Sequence, residues 1–275
     1  MRRVSPSFAK GAISMVPRGG DSGVAPIDLQ KAQLEHDGYV NAVRQCVEGS
    51  GADVVVLDAD DDAPDCCFVE DLAVVARGLA FLTRPGAPSR QREAGPFRAV
   101  FEKWGLEVMD MHTMDVHLAS GKDVATVDGG DCLFLGDVLF VGRSSRTNDA
   151  GIAQLADAFS HVHLPVVPVD VPRGLHLKSS LSGLDQETIL AHDHPDTEFL
   201  VEQLLQHQPR DVIRVPDQDA ANAVRIGSAI LYNAKYEYLP ELLHPFASHL
   251  VGADASEAFK ADGLLTCQSV IVERS

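Results

Sequence analysis

The sequence predicts an α/β protein, and three observations predict it. Short apolar runs rich in β-branched residues recur along all 275 residues, helical patterns lie between them, and 45% of the residues are hydrophobic, enough for a substantial core. The runs are 12–16, 54–57, 72–75, 138–141 and 269–272. Each spans four or five residues and is bounded by Gly, Pro, Asp or Ser, which favours strands over helices. The helical patterns are 29–48, 88–103, 147–159, 197–206 and 255–259, with Ser89 a candidate cap for the second and Asn148 or Asp149 for the third. A doubly wound sheet is the default for such alternation, but no G-x-G-x-x-G follows the first strand and no phosphate loop occurs. No crisp repeat and no Pro- or Gly-rich linker divides the chain, so residues 1–275 are expected to form one domain.

Charge narrows the function classes. Forty acids against 23 bases give a formal net charge of −17 and no basic tract. A nucleic-acid partner is therefore not expected, because it would need basic surface to displace counterions. A small cationic substrate suits the field of such a protein. No run of about 18 apolar residues is available to span a membrane, and Met1-Arg2-Arg3-Val4-Ser5 has no apolar stretch behind it, so a cytoplasmic location is expected.

The five cysteines, Cys46, Cys66, Cys67, Cys132 and Cys267, are odd in number and form no C-x-x-C pair. Neither a disulfide framework nor a structural zinc site is expected, which leaves room for one reactive thiol among small core residues. Two loops stand out. Residues 17–28 hold three glycines and two prolines, a composition that suits a mobile cover, and residues 58–65 open on Asp58, Asp60, Asp61 and Asp62 as a solvated turn.

Several side chains can carry chemistry. Cys267 lies in Asp262-Gly263-Leu264-Leu265-Thr266-Cys267-Gln268-Ser269, and its thiolate would be the strongest side-chain nucleophile at neutral pH. A buried structural thiol is the alternative. His176, in Gly174-Leu175-His176-Leu177-Lys178-Ser179, has apolar neighbours that would desolvate its ring. His161 and His163, two apart with no third ligand nearby, read as surface. Asp65, Glu70 and Asp71 stand at the entry to the 72–75 run, where acids are costly unless paired. A planar cation with several N–H donors would satisfy them, as would an arginine of the protein itself. Asp128-Gly129-Gly130-Asp131 marks a tight turn that lets backbone approach something closely. Arg84, Arg90 and Arg146 sit in loops and suit a substrate carboxylate.

Together these segments resemble the dimethylarginine dimethylaminohydrolases. The carriers are Asp65 with Phe68-Val69-Glu70-Asp71, Leu82-Thr83-Arg84-Pro85-Gly86-Ala87-Pro88-Ser89-Arg90, Asp128-Gly129-Gly130-Asp131, Arg146-Thr147-Asn148, Leu175-His176-Leu177-Lys178-Ser179 and Asp262-Gly263-Leu264-Leu265-Thr266-Cys267, in the family's order. The resemblance implies the pentein α/β propeller, five ββαβ-type modules, and hydrolysis of Nω-methylated arginines to citrulline and an alkylamine. It assigns Cys267 as nucleophile, His176 as general acid and base, and Asp128 as the carboxylate that orients the imidazole. Asp65, Glu70 and Asp71 fall where the family grips the guanidinium side. Arg90 and Arg146 fall at the α-carboxylate, and the Ala261 backbone at the α-amino group. No metal and no organic cofactor is called for, the partner is a small molecule, and a homodimer is compatible with the resemblance. Gln268 stands where some members have a second cysteine, and the 17–28 loop does not align residue by residue. Three alternatives stay open: an arginine deiminase acting on free arginine, an amidinotransferase needing a second amine, and a non-catalytic binder of arginine analogues.

Overall fold

The computed structural model describes residues 1–11, 25–114, 124–208 and 210–272; the strand expected at 12–16 and most of the 17–28 loop lie outside them. The chain divides into two compact units, Glu70–Ala221 with Val270–Ser275, and Met1–Val69 with Asn222–Ser269.

The larger unit builds one motif three times. Strands β1 (Ala73–Ala76) and β2 (Leu79–Leu82) form an antiparallel hairpin, the helix Phe97–Lys103 crosses over, and β3 (Glu107–Asp110) returns parallel to β2. Strands β4 (Cys132–Leu135), β5 (Val138–Arg143) and β6 (Val166–Asp170) repeat this around the helix Asp149–Ser160. Strands β7 (Leu181–Gly183), β8 (Thr188–His192) and β9 (Asp211–Val215) repeat it around Pro195–His207. The first hairpin turns on Arg77 and Gly78, at φ 50° and 81°, because a two-residue turn that matches strand twist needs both residues left-handed.

The smaller unit holds the fourth such sheet, β10 (Val224–Ile226), β11 (Ala229–Asn233) and β12 (His249–Ala253), with the helix Leu239–Leu243 between the last two strands. The long helix Leu29–Cys46 packs on β11 and β12, capped by Asp28, whose side chain accepts the Lys31 N–H. A parallel bridge between Arg2 and Leu57 flanks that helix in sequence.

Strand β5 shows how the core is made. Leu139 and Val141 enter a cluster with Val74, Phe81, Leu155 and Phe159, while Phe140, on the opposite face, enters another with Leu177, Leu181, Ile189 and Leu204. Both faces of the strand are buried, so its sequence runs almost continuously apolar rather than alternating.

Local expectations fared unevenly. Asn148 caps its helix by accepting the Gly151 N–H at 2.8 Å. Ser89 caps nothing: Gly95 and Pro96 break the 88–103 pattern, leaving a 3₁₀ turn at Pro88–Arg90 and a helix that starts at Phe97 behind Pro96. Among the described residues the 54–57 run forms the single Leu57 bridge rather than a ladder, and 269–272 forms no strand pairing. His161 and His163 are exposed, in the turn after Asp149–Ser160.

Candidate active site

His176 owes its position to its neighbour. Leu177 is fully buried in the second core cluster, and such burial contributes about 1.5–3 kcal/mol, enough to fix the segment that carries the imidazole. The His176 N–H donates to Ser179 Oγ at 3.1 Å. The Leu177 N–H donates to Asp131 Oδ1 at 2.9 Å. Gly130 lies flat against the ring, where an added Cβ would stand 2.6 Å from Nδ1; this close approach is what the glycine permits.

Carboxylates surround that imidazole. His176 Nε2 pairs with Asp128 Oδ2 at 2.9 Å, and Asp71 Oδ1 lies 3.9 Å from the same nitrogen. Asp128 is itself held: Oδ1 accepts the Gly86 N–H at 2.7 Å, and its backbone N–H donates to Thr147 Oγ1 at 3.0 Å. Burial pulls the imidazole pKa down, but the charge of Asp71, the hydrogen bond with Asp128 and the charge of Asp131 outweigh it and raise the pKa to about 9. His176 is therefore an imidazolium at neutral pH. For Asp71 the balance runs oppositely. Burial pushes its pKa up, yet the neighbouring His176 and Arg90 charges win and hold it below the usual carboxylate value.

Of the two arginines expected to meet substrate, Arg90 and Arg146, the first has carboxylate partners inside the protein. Arg90 is buried, with Nη1 on Asp71 Oδ2 at 2.6 Å and Nε and Nη2 on Glu93 Oε2 at 3.3 and 3.1 Å. Burial opposes its charge, but Asp71 and Glu93 raise its pKa above the ordinary arginine value. Lys178, two residues past His176, pairs with Glu70 Oε1 at 2.6 Å. Arg146 differs: no carboxylate pairs with its half-buried guanidinium among the described residues. Its backbone lies hard against Gly86, where any Cβ would overlap the Arg146 carbonyl. The larger unit thus brings Glu70, Asp71, Arg90, Asp128, Arg146 and His176 into one connected region.

Asp71, Asp128 and His176 also offer one ligand atom each within 4.8 Å of one another. Arg90 beside Asp71 places a fixed positive charge next to that point, so the trio suits a proton better than a metal cation.

The smaller unit holds Cys267, Ala261 and Asp65. Cys267 is half-buried in the 3₁₀ turn Thr266–Gln268, and the Leu264 N–H donates to its Sγ at 3.3 Å, a contact that favours a thiolate. Asn222 clamps the turn from one side, accepting the Thr266 N–H at 3.0 Å and donating to Thr266 Oγ1 at 3.1 Å. On the other side His36 Nδ1 meets Gln268 Oε1 at 3.0 Å, and Tyr39 and Ser269 hydroxyls meet at 2.8 Å. Gly263 rests on the Phe68 ring with no room for a Cβ. Ala261 is fully buried, its N–H bonded to the Ala258 carbonyl at 2.9 Å, and Asp65 is buried. Of the other thiols, Cys66, Cys67 and Cys132 are buried and Cys46 is partly so. Burial raises Cys46 to about 11 and lifts Cys132 above the usual thiol value.

Sequence reasoning gave no role to Lys178, Glu93, Ser144 or Thr147, or to Asp131 beyond its turn. Lys178 and Asp131 stand inside quoted motifs, but their partners lie 108 and 46 residues away, at Glu70 and the Leu177 N–H. No spacing rule reaches that far. Among the described residues no helix is long and apolar enough to cross a membrane.

Four ββαβ sheets and a buried imidazolium ringed by acids define a pentein-type enzyme. A family model described as N,N dimethylarginine dimethylhydrolase, eukaryotic, matches residues 25–230. The dimethylarginine dimethylaminohydrolase of Streptomyces coelicolor is 35% identical over 271 residues, 98% of this chain and 95% of that one. The Pseudomonas aeruginosa enzyme, solved as a cysteine-to-serine mutant complexed with citrulline, superposes with a TM-score of 0.80 at 26% identity, covering 97% of this chain and 95% of that one. The N-terminal domain of a cyanobacterial arginine dihydrolase, 18% identical with a TM-score of 0.74 over 98% of this chain and 96% of that one, shares the fold alone. The chain belongs to the dimethylarginine dimethylaminohydrolase family of guanidino C–N hydrolases. Its fold class is the pentein α/β propeller, as the family resemblance implied.

Proposed function

We propose that this protein hydrolyses Nω-methylated arginines, asymmetric dimethylarginine and monomethylarginine, to citrulline and dimethylamine or methylamine, with residues 1–275 acting as one catalytic domain. What carries the reading is the His176 cluster: a buried imidazole held protonated near neutral pH by Asp71, Asp128 and Asp131. An amine leaving group needs such an acid.

In this mechanism the Cys267 thiolate attacks the guanidinium carbon. The C–N bond to the alkylated nitrogen breaks as His176 delivers its proton to the departing amine, which leaves neutral. An S-alkylthiouronium remains on Cys267. Neutral His176, oriented by Asp128, takes a proton from water; the hydroxide adds to the same carbon, the C–S bond breaks, and citrulline leaves with the thiolate regenerated. Asp65, Glu70 and Asp71 take the guanidinium side. Arg146 takes the α-carboxylate together with Arg90, which also keeps Asp71 ionised. The Ala261 carbonyl takes the α-amino group, since its N–H is committed to Ala258. Acid–base help of this kind contributes about 10²–10⁴ in rate.

The test measures citrulline from asymmetric dimethylarginine, monomethylarginine and arginine side by side. Methylated substrates should dominate. Comparable turnover of arginine points to a deiminase instead, and tight binding without citrulline to a non-catalytic binder.

A further inference from the structure

Asp131 is buried, and the mechanism above gives it no step. Its contacts nevertheless lead, directly or through a hydroxyl, to the backbone at or beside His176, Asp128 and Arg146. Oδ1 accepts the Leu177 N–H at 2.9 Å, next to His176. Oδ2 accepts Thr147 Oγ1 at 2.6 Å, and that hydroxyl oxygen in turn accepts the Asp128 N–H at 3.0 Å. Oδ2 also accepts Ser144 Oγ at 2.6 Å, and Ser144 Oγ accepts the N–H groups of Arg146 at 3.0 Å and Thr147 at 3.2 Å. Gly142 leaves the space: a Cβ there would stand 2.8 Å from Asp131 Oδ1.

We propose that Asp131 is a positioning residue, a single carboxylate that holds the main chain at His176, at Asp128 and at Arg146 in fixed mutual register. This rests on the function proposed above, since only there do those three residues act on one substrate. The chemistry of the junction supports it. A carboxylate offers several acceptor sites, and here it draws one backbone donor and two hydroxyls, each hydroxyl relaying the contact to another backbone N–H. A neutral amide at the same place has one acceptor oxygen and cannot serve all three.

Asp131 also acts on the imidazole through its charge. The charged groups facing His176 are Asp71, with Arg90 behind it, Asp128 and Asp131, while Lys178 on the same turn is paired with Glu70. Removing the Asp131 charge lets the imidazolium lose its proton at lower pH.

Two variants test this on the full chain. Asp131→Asn is expected to lower kcat by about tenfold or more, to raise KM, and to move the alkaline limb of kcat/KM to lower pH. The His176 imidazole titration, followed by NMR, should move the same way. Ser144→Ala removes the hydroxyl that ties Asp131 to the Arg146 and Thr147 N–H groups but leaves the Leu177 N–H and Thr147 Oγ1 on Asp131, so KM should rise about threefold or more while the His176 titration stays as in the parent. Asp131→Asn that lowers Tm but leaves the His176 titration, kcat and KM as in the parent overturns the proposal, as does Ser144→Ala with parental KM if Asp131→Asn fails to fold. Should the parent release no citrulline, the functional reading fails. The NMR titration of the two proteins then still decides whether Asp131 governs His176.

Discussion

Around His176 the structure gathers charge; around Cys267 it gathers shape. The imidazole has Asp128 at 2.9 Å, Asp71 at 3.9 Å, and Asp131 bonded to the next residue's N–H. The thiol's turn is fixed by a backbone N–H on sulfur, an asparagine clamp, a buried His36–Gln268 contact and the Phe68 ring under Gly263. The difference suits the roles proposed for the two groups, His176 as proton carrier and Cys267 as nucleophile. A proton carrier is defined by its pKa, which burial, nearby charge and hydrogen bonds set. A nucleophile is defined by where its lone pair points, which packing and backbone geometry set.

The comparison breaks most visibly at the sulfur. Cys267→Ser should abolish turnover while arginine-analogue binding stays within about tenfold, because the gripping residues remain; kinetics and calorimetry on the variant check both halves. Next comes the imidazole. His176→Gln keeps a polar side chain but no titratable proton, and kcat should fall by about 10²–10⁴.

How far these halves were readable beforehand differs too. Cys267, His176 and Asp128 can be named as candidates from sequence because their motifs stand in a family's order, and the structure pairs two of them, His176 and Asp128. The fourfold ββαβ repeat was invisible, since its crossover helices range from five residues at Leu239–Leu243 to 13 at Pro195–His207 and share no residue pattern. What binds Glu70 and Asp71 inside the protein was also hidden. Lys178 and Arg90 find those acids across 108 and 19 residues, through tertiary contact rather than spacing. An internal arginine is one of the two partners that the sequence allows for these acids, and Asp71 has one in Arg90.

pH sharpens the contrast. The folded pKa of His176, about 9, lies above its ordinary 6.5, so the stability it confers is complete below pH 6.5 and lost as pH rises through about 9. Urea melts at pH 6 and pH 9.5 should show that loss in the parent and a smaller one in His176→Gln. In the same window kcat/KM should fall as the imidazolium that protonates the leaving amine disappears. Gly130→Ala offers a steric version, since the added methyl meets the ring at 2.6 Å. Overpacking of this kind costs about 1–3 kcal/mol, and kcat should fall with it while Cys267 keeps its reactivity toward an alkylating agent. The smallest effect is expected on the thiol's side. Gln268→Ala leaves buried His36 Nδ1 without its partner, costing about 1–3 kcal/mol in a thermal or urea melt with kcat reduced only modestly.

The central claim is that the thiol at 267 forms the covalent bond and the imidazole at 176 supplies the proton. Rapid acid quenching during turnover of asymmetric dimethylarginine, followed by peptide mass spectrometry, addresses it most directly. An adduct on the Cys267 peptide, formed as dimethylamine is released and absent from Cys267→Ser, is the expected result. Dimethylamine release with Cys267 unmodified, or with the adduct on Cys46, would contradict it.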